Sequence, residues 1–146
     1  MEFLNFTIAN LLGTSLMTVF TYCLSEILNK QYKQPILIAY FQDIFRIELS
    51  QTAKRFVGWL LHYCTGAIFL LLFHLYWKFD DALITWPSGL LLGVLAGFAG
   101  MVIWKICFTV VKEKRLPEKG FYIHIFFAHI VFALGIVAAY QLIERF

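Results

Sequence analysis

Charged residues are scarce in this chain, at 14% of its 146 residues, while hydrophobic residues make up 61%. About a quarter of the residues in an ordinary soluble domain are charged. A soluble fold of this length could not bury so much apolar surface in one core. The scarcity of charge therefore excludes an ordinary soluble domain and predicts that lipid covers much of the surface. The small net charge of +3 predicts no nucleic-acid partner.

Sequence motifs of catalysis and of metal binding are lacking as well. The chain has no phosphate-binding loop, no dinucleotide fingerprint and no Ser-His-Asp arrangement. Its three cysteines, Cys23, Cys64 and Cys107, have no C-x-x-C spacing and lie inside apolar segments. We interpret them as small apolar filler, with a redox or metal role as the alternative. These absences favour a non-enzymatic protein.

Four long apolar runs fill most of the chain. A helix needs about 20 mainly apolar residues to cross the hydrocarbon of a bilayer. The runs are too continuous for barrel strands, in which apolar and polar residues alternate. The pattern predicts an all-α, polytopic membrane protein that forms a single domain over residues 1–146. Transmembrane helices are expected at residues 5–28, 56–77, 87–111 and 121–143.

Basic residues cluster between the first two apolar segments and between the last two. On the opposite side are Lys78 and Arg145. Because lysine and arginine are retained in the cytoplasm, both clusters are expected inside and both termini outside. The clustered residues are Lys30, Lys33, Arg46, Lys54, Arg55, Lys112, Lys114, Arg115 and Lys119.

The first basic loop contains an amphipathic pattern over residues 36–49, just after Pro35. Proline suits the first turn of a helix. Apolar side chains fall on one side of this helix, while Gln42, Asp43 and Arg46 fall on the other. The pattern predicts a short interfacial helix on the inner leaflet. A docking surface for a partner protein is the alternative.

The first apolar segment has a polar stripe at spacings of three and four residues. At 100° per residue these side chains share one helix face, which we expect to face the interior of the bundle. They either join helices through hydrogen bonds or line a polar path. The stripe consists of Asn10, Thr14, Thr18, Thr21 and Ser25, with Thr7 before them.

Glycines recur at a spacing of four residues in the third segment, and in the second segment two glycines lie four residues before and after His62. Small residues at this spacing let two helices approach closely. The pattern predicts helix packing, and it leaves open whether the partner helix belongs to the same chain or to a second copy. The packing glycines are Gly58 and Gly66 in the second segment, Gly89, Gly93 and Gly97 in the third, and Gly135 in the fourth.

Three histidines and one carboxylate form the chemically capable group of the spans: His62, His124, His129 and Glu26. The histidines either hydrogen-bond within helix contacts, bind haem or a transition metal, or transfer protons. A metal would use His62 with His129, and a haem His62 with either of the others. We expect no cofactor, with haem or a metal as the alternative. Glu26 is expected to pair with Lys30, four residues on.

Several stretches resemble small four-helix proteins of the bacterial inner membrane, a group without a settled activity. The resemblance lies in residues 58–63 (GWLLHY) with Gly66, in Pro87 with the spaced glycines after it, and in residues 124–132. It implies the fold and the location and provides no catalytic residues. The first segment lacks the central carboxylate of small multidrug transporters and the histidine of typical cytochrome b bundles.

The hypothesis from sequence is therefore a non-enzymatic inner-membrane protein. It associates with itself through its third segment and acts in transport, permeation or membrane interaction. Its expected partners are the lipid bilayer and a second copy or another membrane protein. The alternatives are a haem- or metal-binding redox or sensor protein, and an accessory subunit of a larger membrane complex.

Overall fold

The computed structural model describes residues 3–79, 83–111 and 119–143. Within them the chain forms five α-helices and no strand. Four of the five are long and apolar enough to cross a membrane, which confirms the prediction of four such helices in an all-α chain. The helices are α1 Phe3–Leu28, α2 Gln34–Ile44, α3 Gln51–Phe79, α4 Trp86–Val111 and α5 Lys119–Ile143.

The described members of the predicted basic clusters lie at one end of the helices. Lys33 follows the end of α1, and Lys54 lies in the first turns of α3, whereas Lys78 is at the opposite end of α3. Lys105 is a further basic residue, exposed within α4, which the charge pattern did not take into account. The predicted cluster members Lys112, Lys114 and Arg115 lie outside the described residues, as does Arg145.

α2 ends earlier than its amphipathic pattern does. The pattern predicted a helix over residues 36–49, but the backbone of Arg46 is left-handed, with φ of 54°. The N–H of Ile47 donates to the carbonyl of Gln42 at 3.0 Å, the bond that closes a Schellman motif. Glycine or asparagine usually occupies such a position. Because an arginine occupies this position, the sequence did not indicate where α2 ends, and the predicted boundary was wrong.

α5 is the central helix of the bundle. It packs along α4 and along α1, whereas α3 packs on α2 and over a shorter length on α1. Ile125, Phe132 and Ile136 of α5 are almost completely buried. α3 and α4 are not among the closely packed pairs, and this leaves a gap between them.

Glycines on α4 let its backbone approach α5. A Cβ added to Gly93 would lie 2.9 Å from the Cα of Ile130, and one added to Gly97 would lie 2.8 Å from the Cδ2 of Phe126. Gly89 also faces α5. α5 of the same chain therefore occupies this row of glycines, and the row is not free for a second copy.

The remaining glycines that were predicted to pack also lie at close helix contacts. A Cβ on Gly135 of α5 would lie 3.2 Å from the Cα of Gly13 in α1. Gly58 of α3 lies against the backbone carbonyl of Pro35 in α2, and Gly66 of α3 lies against the polar face of α1. A larger residue would meet backbone atoms at Gly58 and Gly135, and the side chains of Thr14 and Asn10 at Gly66.

α2 packs on α3 through polar and small residues. Gln42 is only 5% exposed, and its Nε2 donates to the carbonyl of Lys54 at 3.1 Å. Ala39 is buried against Gly58, while Tyr40 is exposed. The amphipathic pattern put Gln42 on the outward polar side. That assignment was wrong, because Gln42 faces α3, where the carbonyl of Lys54 accepts its hydrogen bond.

Candidate functional site

A cavity of about 320 Å³ occupies the gap between α3 and α4, and residues from all five helices line it. Most of the lining is apolar. Leu61 and Thr65 of α3 and Ile103 of α4 belong to the lining and are also exposed, so the cavity reaches the outer surface of the bundle. Its polar side chains are Gln34, His62, Thr65 and His129.

His62 is buried at the cavity and anchored to α1. Its Nε2 lies 3.0 Å from Oγ1 of Thr18, and that hydroxyl donates to the carbonyl of Thr14 at 2.7 Å. A hydroxyl has one proton, so Thr18 accepts from His62. The hydrogen-bond network thus assigns the proton of the neutral imidazole to Nε2. Nδ1 of His62 remains a hydrogen-bond acceptor.

His129 lies between α3 and α4. Its ring contacts Phe69 edge-on at a centroid distance of 5.2 Å, and a Cβ on Gly100 would meet the imidazole at 2.5 Å. Nδ1 lies 2.8 Å from the carbonyl of Ile125. Since a carbonyl only accepts, Nδ1 bears the proton, and Nε2 of the neutral ring is an acceptor.

Gln34 extends from the start of α2 into the same cavity. The residue is 4% exposed, and its Nε2 donates to Oγ1 of Thr21 at 3.4 Å. Its Oε1 is buried and has no hydrogen-bond partner. Buried polar atoms almost always have a partner; of the unpartnered buried atoms in the described residues, this oxygen is the one that belongs to a lining residue of the cavity, whereas Oε1 of Gln42 and Nδ1 of His124 do not.

His124 points away from the cavity. Its Nε2 lies 3.0 Å from Oγ1 of Thr21 on α1. Its ring stacks on Tyr32 at a centroid distance of 4.7 Å and faces Phe20 on the other side at 6.2 Å. His124 and His129 are five residues apart and so fall on different faces of α5, as their spacing implied.

Glu26 is separate from the histidines. It is exposed, and it forms an ion pair with Lys33 rather than the predicted one with Lys30. The reason is the end of α1: Asn29 is left-handed, with φ of 50°, and the N–H of Lys30 caps the helix by donating to the carbonyl of Ser25 at 3.0 Å. The helical spacing of four residues therefore does not apply here.

The polar stripe of α1 is buried and used in hydrogen bonds. Thr14 donates to Oδ1 of Asn10 at 3.2 Å, and Asn10 donates through Nδ2 to the carbonyl of Tyr63 at 3.3 Å. Ser25 donates to the carbonyl of Lys30. Asn10, Thr18 and Thr21 thus bond to other helices, whereas Thr14 and Ser25 bond within or next to α1.

The described histidines belong to no group of three or more metal-ligating side chains. In the part of the chain that the structure describes, no three His, Cys, Asp or Glu side chains come together in a way that could hold a metal ion. His62 and His129 share the cavity, which is one ligand short of the three that a catalytic zinc site has. The arrangement can instead accept hydrogen bonds at the polar end of an apolar space.

The sequence did not indicate two important parts of this site. Gln34 lies in a loop pattern and Thr65 in an apolar run, and neither has a spacing relation to the histidines. Tyr63 and Ser15, whose hydroxyls are 2.9 Å apart between α3 and α1, were also missed. The aromatic and hydroxyl residues fall on several helices, so only their packing brings them together.

Comparisons with protein-family models, with curated proteins and with solved structures found no match.

Proposed function

We propose that this chain is a multi-pass membrane protein that binds a small, mainly aliphatic molecule in the cavity between α3 and α4. The observation that supports this is the cavity itself, with its apolar walls and its few polar side chains. Binding sites for small molecules combine these features. The role is binding within transport, permeation or membrane interaction, without a chemical step.

The position of the opening supports entry from the bilayer. Leu61 and Ile103 are exposed at the two sides of the gap, on helices long and apolar enough to face lipid. A molecule dissolved in the hydrocarbon would reach the cavity sideways and would not need to cross the water phase. The buried stripe of α1 has no part in this route.

We also propose a bacterial inner membrane as the location, with both termini outside. The support is the clustering of Lys33, Lys54 and their neighbours at one end of the helices, with Lys78 at the other, under the rule that basic loops stay inside. Self-association remains a prediction. The row of glycines on α4 does not support it, because α5 of the same chain already occupies that row.

A pair of cysteine substitutions tests the binding role. Cys107 lines the cavity, whereas Cys64 is exposed on α3 and lies outside the lining. Cys107→Trp would fill the cavity, and Cys64→Trp would add the same ring to the outer surface. The protein would be extracted in polymer nanodiscs and examined by native mass spectrometry for a bound small molecule.

We expect a bound mass on the unmodified protein and on Cys64→Trp, and its loss from Cys107→Trp. Thermal unfolding of both variants serves as the control for folding. A bound mass that survives in folded Cys107→Trp, or no bound mass on any of the three proteins, would contradict the proposed function.

A further inference from the structure

Three of the side chains that line the cavity have hydrogen-bond acceptors without donors. Oε1 of Gln34 is buried without a partner. The tautomers derived above leave Nδ1 of His62 and Nε2 of His129 as acceptors, and no described residue donates to either. All three side chains line the same cavity. A ligand that donates a hydrogen bond would satisfy a group that is otherwise costly to bury.

The charges of the lining residues limit which kind of hydrogen-bond donor a ligand can have. None of the described lining residues is Asp, Glu, Lys or Arg, and burying a charge without a partner is strongly unfavourable. An ammonium group would lack a counter-charge, and a carboxylate would face acceptors. Trp104 and Cys107, whose side chains have donor groups, are also lining residues. A neutral hydroxyl group fulfils these conditions.

We infer that the ligand of this cavity is an aliphatic alcohol, whose hydroxyl group donates one hydrogen bond to an acceptor of Gln34, His62 or His129. This inference rests on the proposed function and specifies the class of ligand. With a volume of about 320 Å³, the cavity lies at the lower end of the size range of sites for small organic ligands. The ligand is therefore a medium-chain alcohol or the hydroxyl end of a longer one.

Two isomeric probes test the need for a donor. ω-Bromononanol has a hydroxyl group, and ω-bromooctyl methyl ether has the same atoms without a donor. Bromine quenches tryptophan fluorescence, and Trp104 lines the cavity. The specific binding signal is the quenching that disappears in Trp104→Phe. Trp86→Phe is the matched control, because Trp86 is exposed and lies outside the lining, so it reports only partition into the nanodisc.

We expect the alcohol to bind at least about tenfold more tightly than the ether, because the ether leaves buried acceptors without a donor. Bromononane should bind no better than the ether. Gln34→Met should reduce the preference for the alcohol. The matched change Gln31→Met, at an exposed glutamine of the same loop, should leave the preference intact.

The outcomes separate this inference from the proposed function. Equal Trp104 quenching by alcohol, ether and alkane would overturn the alcohol assignment and leave the binding role standing. Displacement of the alcohol by nonylamine at a lower concentration than by nonanol would overturn the choice of a neutral hydroxyl. Absence of Trp104-specific quenching by every probe would overturn both. The two isomers are compared on protein in which Gln34, His62 and His129 are unchanged. The comparison therefore tests the alcohol assignment even if Gln34→Met does not fold.

Discussion

Tyr32 lies flat on His124, with the ring planes 6° apart and the centroids 4.7 Å apart. The tyrosine belongs to the connection between α1 and α2, and the histidine belongs to α5. The contact fixes the start of α2, where Gln34 enters the cavity, against the central helix of the bundle. His124 therefore has a structural role in holding this connection against α5.

Removal of this stack should destabilise the protein. Tyr32 is 3% exposed, and truncation of a buried aromatic side chain costs about 3–5 kcal/mol. We expect Tyr32→Ala to lower the free energy of unfolding by an amount of this order, measured by denaturant titration in nanodiscs. Tyr32→Phe keeps the ring and should cost less than about 1.5 kcal/mol. Equal losses in the two variants would contradict a role for stacking.

The bond between Thr18 and His62 can be tested by removal of one hydroxyl group. Thr18→Val leaves Nε2–H of His62 without its acceptor, and hydrogen bonds between membrane helices contribute about 0.6 kcal/mol on average, up to about 1.7. We expect a loss within this range. Thr65→Val is the control, because Thr65 bonds only to the carbonyl of Leu61 in its own helix. A loss no larger than that of the control would show that the bond between Thr18 and His62 does not stabilise the fold.

Substitution of Gly93 should destabilise the single chain. A Cβ there would lie 2.9 Å from the backbone of Ile130, and overpacking of this kind costs about 1–3 kcal/mol. Gly93→Ala should therefore lower the unfolding midpoint, and Gly93→Leu should disrupt the packing of α4 on α5. Leu95→Ala, at an exposed position of α4, should change the stability by less than about 0.5 kcal/mol. Unchanged stability in Gly93→Leu would contradict the internal packing.

The left-handed residue at the end of α2 predicts a stabilising substitution. A left-handed backbone costs a residue with a Cβ about 1–2 kcal/mol, and glycine has no such cost. Arg46→Gly should raise the free energy of unfolding by about 1 kcal/mol. Arg46→Ala removes the same charge but keeps the Cβ, so it should give no comparable gain. A larger gain for alanine than for glycine would show that charge, rather than backbone geometry, matters at Arg46.

The proposed orientation can be measured with single cysteines. In a protein whose three native cysteines are changed to serine, Leu83→Cys is on the proposed outer side and Gln31→Cys on the inner side. Both positions are exposed. A membrane-impermeant thiol reagent added to intact cells should label Leu83→Cys alone, and both variants after lysis. Labelling of Gln31→Cys in intact cells would reverse or abolish the proposed topology.

The helices of this fold could be predicted from the sequence, but their arrangement could not. The spans were predicted to within a few residues, apart from the second, where α3 begins at Gln51 instead of residue 56. Ser50 explains the earlier start, because its hydroxyl accepts from the N–H of Ala53 and caps the helix. The end of α2 was missed because Arg46 adopts a left-handed conformation that is uncommon for arginine.

The candidate site could be predicted only in part. The spacing of His124 and His129 already implied that they point to different places. That His129 would share a cavity with His62 while His124 bonds to Thr21 could not be derived, because it depends on which helices meet. Gln34 has no partner within its own helix, and only the fold makes it a lining residue.

The sequence by itself determined that four helices are long and apolar enough to span a membrane. This property is local, because an apolar run of about 20 residues can satisfy its backbone in lipid by hydrogen bonds within its own helix. Only the tertiary structure decided that α5 is central, that α4 uses its glycines within the chain, and that α3 and α4 stand apart around a cavity. These features depend on contacts between distant residues, such as His129 with Gly100 and Gln34 with Thr21, and no local pattern encodes which faces pack together.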